Sequence, residues 1–391
     1  MKRLLALLLV FATLVVSVGG IAYASDDENT TGGDTIASAP EIKANGALLM
    51  EASTGEILYA KGELEAASPA SVTKIMTLLL VAEALEKGFY STEDTVTVSA
   101  NAASMGGSQV FLEEGEQMSV EELIKCTVIA SANDAAVALA EYTSGSEAAF
   151  VDKMNERAEE LGLLNTCFEN TTGLDDTTVN HYTCPRDIAV MSRELIKHEI
   201  ILRYSSMWQD TIRDGEFTLT NTNRLVRYYD GCNGLKTGST DKAGYCISAT
   251  AKRGNMQLIA VVMGAPTRDI RNECARILLD MGFSGYTLME YPEEYLEQAE
   301  VKGGMRSTMP LYSSGFTALI KKEDKGKLEV KYQIPESVTA PIYEGQGVGK
   351  ILYLLDGEQV GECLIVAGAD VQEAGFLGVL WLIWQKILCG K

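Results

Sequence analysis

Apolar positions follow two rhythms along this chain. Over residues 42–59 two short alternating runs flank Ala52-Ser53-Thr54-Gly55-Glu56, the pattern of a β-hairpin. From Ser71 the spacing becomes helical, over residues 71–87, 120–142, 148–161 and 185–198. Strand patterns return at Phe217-Thr218-Leu219 and over 234–237, 245–251 and 258–263, and 272–281 closes as a helix. Strands at both ends with helices between predict one antiparallel sheet with a helical cluster against it, an α+β domain over 40–291.

Near Pro292 the runs shorten. Thr317-Ala318-Leu319-Ile320, Leu328-Glu329-Val330-Lys331-Tyr332, Ile351-Leu352-Tyr353-Leu354-Leu355 and Glu362-Cys363-Leu364-Ile365-Val366 are separated by turns such as Lys325-Gly326 and Asp356-Gly357. They predict a small all-β C-terminal domain over 295–371, a spacer or a binding module. Residues 375–389 are apolar almost throughout, yet fewer than the ~20 a spanning helix needs. Trp381, Trp384 and Lys386 favour the water–lipid boundary. The segment 374–391 therefore reads as a C-terminal membrane helix lying in or dipping into the outer leaflet. The alternative is a helix docked on the last domain.

The other end also carries an address. Met1-Lys2-Arg3, an apolar run over 4–16 and Ala22-Tyr23-Ala24 form a secretory signal peptide, 1–24. Cleavage after Ala24 is expected; the alternative is an uncleaved anchor. Residues 25–39 are acidic and rich in Ser, Thr and Gly, a flexible leader. The predicted location is the outer face of the cytoplasmic membrane.

Composition narrows the chemistry. A chain of 391 residues exceeds one typical domain, and its formal net charge of −21 argues against nucleic acid as a partner. It carries two histidines and eight cysteines without a C-x-x-C pair, so no metal and no cofactor are expected. Outside the cytoplasm disulfides are allowed. Cys232 with Cys246, on neighbouring strands, and Cys167 with Cys184, flanking a loop, are candidate pairs. Cys126 and Cys274 lie in apolar helical patterns and read as buried thiols.

Three short motifs follow in order: Ser71-Val72-Thr73-Lys74, Ser131-Ala132-Asn133 and Lys236-Thr237-Gly238. Each alone is weak. Ser239-Thr240-Asp241-Lys242 repeats the first pattern and Ser99-Ala100-Asn101 the second. Setting separates them. Ser71 stands at a helix start, with Ser68 as expected cap and Pro69 as first helical residue, before an apolar run. Ser239 lies in a Gly/Asp/Lys turn. The ordered set supplies a serine nucleophile with an amine base, a second hydroxyl with an amide, and a cationic strand edge: the parts of a serine acyl transferase.

In this order the motifs resemble the penicillin-binding protein and serine β-lactamase superfamily. Pro69-Ala70-Ser71-Val72-Thr73-Lys74-Ile75-Met76-Thr77, Ala130-Ser131-Ala132-Asn133-Asp134-Ala135-Ala136, Gly234-Leu235-Lys236-Thr237-Gly238-Ser239-Thr240 and Asn180-His181-Tyr182-Thr183 with Arg186-Asp187-Ile188-Ala189 narrow the likeness. They are similar to the low-molecular-mass penicillin-binding proteins, the serine-type D-alanyl-D-alanine carboxypeptidases. The resemblance implies peptidoglycan stem peptides ending in D-Ala-D-Ala as substrate and β-lactam antibiotics as covalent inhibitors. A D,D-endopeptidase acting on cross-links and a non-catalytic penicillin sensor or wall-binding protein are the alternatives.

On this reading Ser71 is the nucleophile and Lys74, three residues on and on the same face, its base. Lysine serves so only when neutral, which burial and a second cation, Lys236, favour. Ser131 would relay a proton to the departing amine, and Asn133 would orient Lys74 and accept the substrate amide. Lys236 and Thr237 would hold the terminal carboxylate, and Gly238 would let the substrate backbone approach. By resemblance, the Ser239 N–H joins that of Ser71 as oxyanion donor and Arg224 supports the carboxylate site. His181 is a possible accessory in deacylation, or a structural hydrogen-bonding residue. Class A β-lactamases use a glutamate on the corresponding loop, and residues 170–183 contain none. Penicillin is therefore expected to acylate Ser71 and leave slowly.

Overall fold

The computed structural model describes residues 41–389; the expected signal peptide and leader lie outside them. The opening hairpin forms β1 (Gly46–Glu51) and β2 (Ile57–Lys61). Glu51 holds the turn, accepting from Ser53 Oγ at 2.7 Å and from Thr54 N at 2.8 Å. Far along the chain β3 (Cys232–Thr240), β4 (Gly244–Arg253) and β5 (Met256–Ala265) join it. The order is β2-β1-β5-β4-β3, all antiparallel.

Both faces of this sheet are covered, so β4 and β5 are buried over most of their length. Alternate residues serve different cores: Leu48 and Met50 face the helical cluster, Ala47 and Leu49 the opposite layer. That opposite layer is α5 (Arg268–Gly285), capped by Thr267, whose side chain accepts from Ile270 N at 3.2 Å. The helical cluster holds α1 (Lys74–Glu86), α2 (Asn133–Ser144), α3 (Glu147–Glu160) and α4 (Pro185–Leu195). α1 is apolar nearly all round and buried along most of its length, as a central helix must be. β3 remains an edge strand, and Lys236-Thr237-Gly238 lies on it.

One expected element is not continuous. The helix read over 120–142 breaks into Val120–Lys125, a π-helical turn Cys126–Ala130, and α2. Between them Ser131 is left-handed, at φ 63° and ψ 27°, and Ala132 is extended. The motif Ser131-Ala132-Asn133 sits in this break. A residue other than glycine with positive φ in a buried turn is characteristic of functional strain.

The candidate disulfides are corrected. Across the β3–β4 hairpin Cys232 faces Ala251 and Cys246 faces Gly238, so the two thiols stand several residues apart along the ladder. Cys167 faces Tyr182 rather than Cys184. All four are free thiols, and Cys126 and Cys274 are buried ones.

The C-terminal domain is all-β. It pairs β6 (Tyr286–Tyr291) with β9 (Phe316–Lys321). Its larger sheet contains β7 (Tyr295–Lys302), β8 (Thr308–Ser313), β10 (Leu328–Gln333), β11 (Ser337–Thr339), β12 (Gly347–Leu355) and β13 (Glu358–Ala367). The order is β10-β12-β13-β8-β7-β11. Phe316 stacks on Tyr353 with centroids 4.2 Å apart.

Within the segment 374–391 a helix forms, α6 (Phe376–Cys389); its 14 residues reach only about 21 Å at about 1.5 Å each, against a bilayer core of about 30 Å. Among the described residues no helix is long and apolar enough to cross a membrane.

Candidate active site

Ser71 lies in a 3-10 turn, Ala70–Thr73, that leads into α1. The turn is strained and tightly backed. Ala70 has φ 48°, and Gly173, at φ 82°, lies so close that a Cβ there would come 1.7 Å from the Ala70 oxygen. Thr73 Oγ1 donates to that oxygen at 2.9 Å and lies 2.8 Å from His181 Nε2. His181 Nδ1 accepts from Glu169 N at 3.0 Å, which assigns the proton to Nε2. Burial lowers the His181 pKa to about 4, so the ring is neutral. Both its nitrogens are used on protein atoms behind the Ser71 turn. These contacts are those of the structural hydrogen-bonding role weighed for His181, in support of Thr73.

Ser68 does not cap the helix. Its hydroxyl donates to Asp175 Oδ2 at 3.1 Å, and the same oxygen accepts from Thr240 Oγ1 at the end of β3. One carboxylate thereby ties the Ser71 turn to the Lys-Thr-Gly strand. Gly238 of that strand approaches so closely that a Cβ would lie 2.8 Å from Ser71 N and 2.9 Å from Pro69 O. Only glycine leaves room in front of the Ser71 N–H. Ser239, the next residue, is exposed and lines the cleft.

Lys74 is fully buried. Its Nζ lies 3.0 Å from Ser71 Oγ and donates to Asn133 Oδ1 at 2.6 Å and Thr172 O at 2.9 Å. None of these is charged. Desolvation first, and the nearby Lys236 second, hold its pKa well below the usual lysine range, while Asp134 opposes them. Asn133 is fixed in turn, its amide donating to Gly106 O at 2.7 Å. Lys236 Nζ donates to Ser131 Oγ at 2.7 Å and Thr237 O at 2.9 Å. Burial and then Arg271 lower its pKa to about 7.

These groups open on a cleft of about 580 Å³ lined by Ser71, Ser131, Arg224, Thr237, Ser239 and Arg271, among others. Thr237 Oγ1 donates to Thr222 Oγ1 at 2.8 Å, and Asn223 Nδ2 donates to Gly234 O at 2.7 Å. These bonds seat Arg224 beside the strand edge. Arg271 is buried, donating to the side chain of Asn272 at 2.9 Å, with burial and Arg268 lowering its pKa to about 10. Uncompensated cations here, in a chain of net charge −21, suit an anionic substrate group. Among the described residues no cluster of three His, Cys, Asp or Glu side chains is placed to hold a metal ion.

The structure brings Ser71, Lys74, Ser131, Asn133, Lys236, Thr237, Gly238, Ser239 and Arg224 to one cleft or its wall. The second S-x-N pattern stays outside this network. Ser99 caps Ala100–Ala103, accepting from Ala102 N at 3.0 Å. Sequence reasoning missed Arg271, Asp175, Thr222 and Gly173. The partners of Asp175, Thr222 and Gly173 are distant in sequence, and no local pattern marks any of the four.

A model described as D-alanyl-D-alanine carboxypeptidase matches residues 34–267. The chain belongs to that family. A second model, for the C-terminal domain of penicillin-binding protein 5, matches residues 283–373. The chain is 43% identical over 387 residues to the D-alanyl-D-alanine carboxypeptidase DacF of Bacillus subtilis, covering 97% of each. It is 31% identical to DacA of Escherichia coli, covering 97% of this chain and 94% of that one. Penicillin-binding protein 5 from Haemophilus influenzae superposes with a TM-score of 0.77 at 32% identity, over 86% of this chain and 99% of that one. Penicillin-binding protein D2 from Listeria monocytogenes, solved in its ampicillin-bound form, gives 0.58 at 31% identity, over 63% and 99%. This carboxypeptidase is a serine-type hydrolase of the penicillin-binding class.

Proposed function

We propose that the enzyme removes the terminal D-alanine of peptidoglycan stem peptides through an acyl-Ser71 intermediate, with neutral Lys74 as base. The observation that carries this is the buried Lys74 Nζ, 3.0 Å from Ser71 Oγ with only uncharged acceptors. Ser71 Oγ attacks the carbonyl carbon of the penultimate D-alanine and Lys74 takes its proton. The oxyanion faces the N–H groups of Ser71 and Ser239, donors typically worth ~2.7–4 kcal/mol each. As the C–N bond breaks, Lys74 returns the proton through Ser131 to the departing amine. Lys236, Thr237 and Arg224, with Arg271 behind them, hold the D-alanine carboxylate. Water then attacks the ester, loses its proton to Lys74, and frees Ser71.

β-Lactams acylate the same serine, and the loop over 170–183 offers no carboxylate of the glutamate type to speed their release. The site faces the cell wall from outside the cytoplasmic membrane. α6 lies along the lipid surface, its exposed Phe376, Leu377, Trp384 and Ile387 entering the interface. Release of D-alanine from a diacetyl-Lys-D-Ala-D-Ala peptide tests the reaction. Ser71→Ala abolishes it; release that survives the substitution contradicts the acyl-Ser71 route. Flotation with anionic vesicles, lost when residues 374–391 are removed, tests the interfacial helix.

A further inference from the structure

The larger sheet of the C-terminal domain ends on β10 (Leu328–Gln333), so the outer row of N–H and C=O groups on that strand has no strand partner among the described residues. The opposite edge, β11, is only three residues long. A long open edge is a template for another strand unless charge, proline or a bulge guards it. β10 carries neither proline nor bulge: it pairs β12 in unbroken register, from Leu328 facing Leu355 to Gln333 facing Lys350. Its two faces differ. Leu328 and Val330 pack on the core of the domain, while Tyr332, on the same face, is left 53% exposed. Glu329 and Lys331 lie on the other face, both exposed, with Lys331 Nζ 3.9 Å from Glu329 Oε2.

Those charges guard the edge against most strands but not against a second copy of itself. Residues directly opposite in an antiparallel pair point to the same face, so two copies of β10 must be related by a two-fold axis at one of its residues. An axis at Glu329 sets glutamate against glutamate, and one at Lys331 sets lysine against lysine, which is destabilising. Axes nearer the ends lose half the strand or more. At Val330 every pair is favourable. Glu329 of each copy meets Lys331 of the other, Val330 meets Val330, and Leu328 of one copy covers the exposed Tyr332 of the other. We propose that this chain forms a dimer in which β10 pairs antiparallel with β10 of a second copy about a two-fold axis at Val330, continuing the sheet across both C-terminal domains. A strand edge makes a small interface, so the association is reversible and the two charge pairs weigh heavily in it. The interface is independent of the acyl-Ser71 reading and leaves the cleft of the other domain untouched.

The test is sedimentation equilibrium of the full chain over a concentration series, in a non-ionic detergent that covers α6. Wild type should show a monomer–dimer equilibrium. Glu329→Lys and Lys331→Glu, each alone, set like charges opposite one another and should raise the dimer Kd about tenfold or more. Mixed together, the two single variants should associate again, because each supplies the charge that the other needs. The double variant Glu329→Lys/Lys331→Glu exchanges the charges and should recover the wild-type Kd within about threefold. All four positions of charge are on the surface, so the thermal unfolding midpoint should change little in any variant. A wild type that stays monomeric throughout the series overturns the interface. So do single variants that dimerise as wild type does, or a mixture of them that remains monomeric.

Discussion

Lys74 Nζ stands 3.0 Å from Ser71 Oγ, and its two other contacts, Asn133 Oδ1 and the Thr172 carbonyl, are uncharged. A buried ammonium with no carboxylate against it is unstable, so the neutral amine is favoured, which a base requires. The second buried lysine, Lys236, strengthens the effect by repulsion.

Asn133→Asp reverses this. A carboxylate 2.6 Å from Nζ stabilises the ammonium, and such a partner raises a lysine pKa by about 1–3 units. At pH 7 penicillin acylation should fall at least tenfold, with the acidic limb of its pH profile displaced upward. Stopped-flow acylation across pH measures it; an unmoved limb contradicts the proposed base.

The alkaline side belongs to Lys236. Its pKa near 7 means that its charge is present below that pH and lost above it. A carboxylate substrate needs the charge, so kcat/KM for D-alanine release should decline as pH rises past about 7. Because the two lysines interact, the limbs are those of the pair. In Lys236→Arg the charge persists, and the decline should move upward by more than one pH unit.

Gly238→Ala places a methyl 2.8 Å from Ser71 N and 2.9 Å from Pro69 O. Gly238 lies in a regular strand, so the strand should persist, but the methyl meets backbone and the Ser71 turn must shift, so Tm should fall by a few degrees. Access to the oxyanion donor is blocked, and acylation should slow by about 10²–10³-fold. Unimpaired acylation would show that the close approach has no catalytic meaning.

His181 makes stability depend on pH. Its folded pKa, about 4, lies below the ordinary 6.5, so the unfolded chain binds the extra proton between those values. The contribution is complete above pH 6.5 and declines as pH falls toward 4, by roughly 3 kcal/mol at most. Urea unfolding at pH 7 and 4.5 should show wild type losing roughly 2–3 kcal/mol more than His181→Gln. Parallel losses would contradict the neutral, buried ring.

Much of the α+β fold was legible because its strands are simple. Near-continuous apolar runs bounded by Asp241-Lys242 and Gly254-Asn255 mark β4 and β5 as strands buried on both faces. Spacing alone brought Ser71 and Lys74 together. The break at Ser131 was not legible, because its Ala- and Val-rich flanks suit a helix and only tertiary packing imposes the left-handed turn. Asp175 reaches Ser68 across 107 positions and Thr240 across 65, and no window of sequence holds such a contact. The cysteine pairs failed because pairing register, with a bulge between Cys232 and Gly234, decides which thiols meet.

The most direct test is to locate the acyl group. Brief exposure to penicillin, trypsin digestion and mass spectrometry should place one adduct on Ser71, within the peptide of residues 62–74. Lys74→Arg, which keeps the cleavage site but cannot act as a neutral base, should leave Ser71 unmodified on the same timescale. An adduct on another serine, or undiminished labelling of Lys74→Arg, would contradict Ser71 as nucleophile and Lys74 as its base.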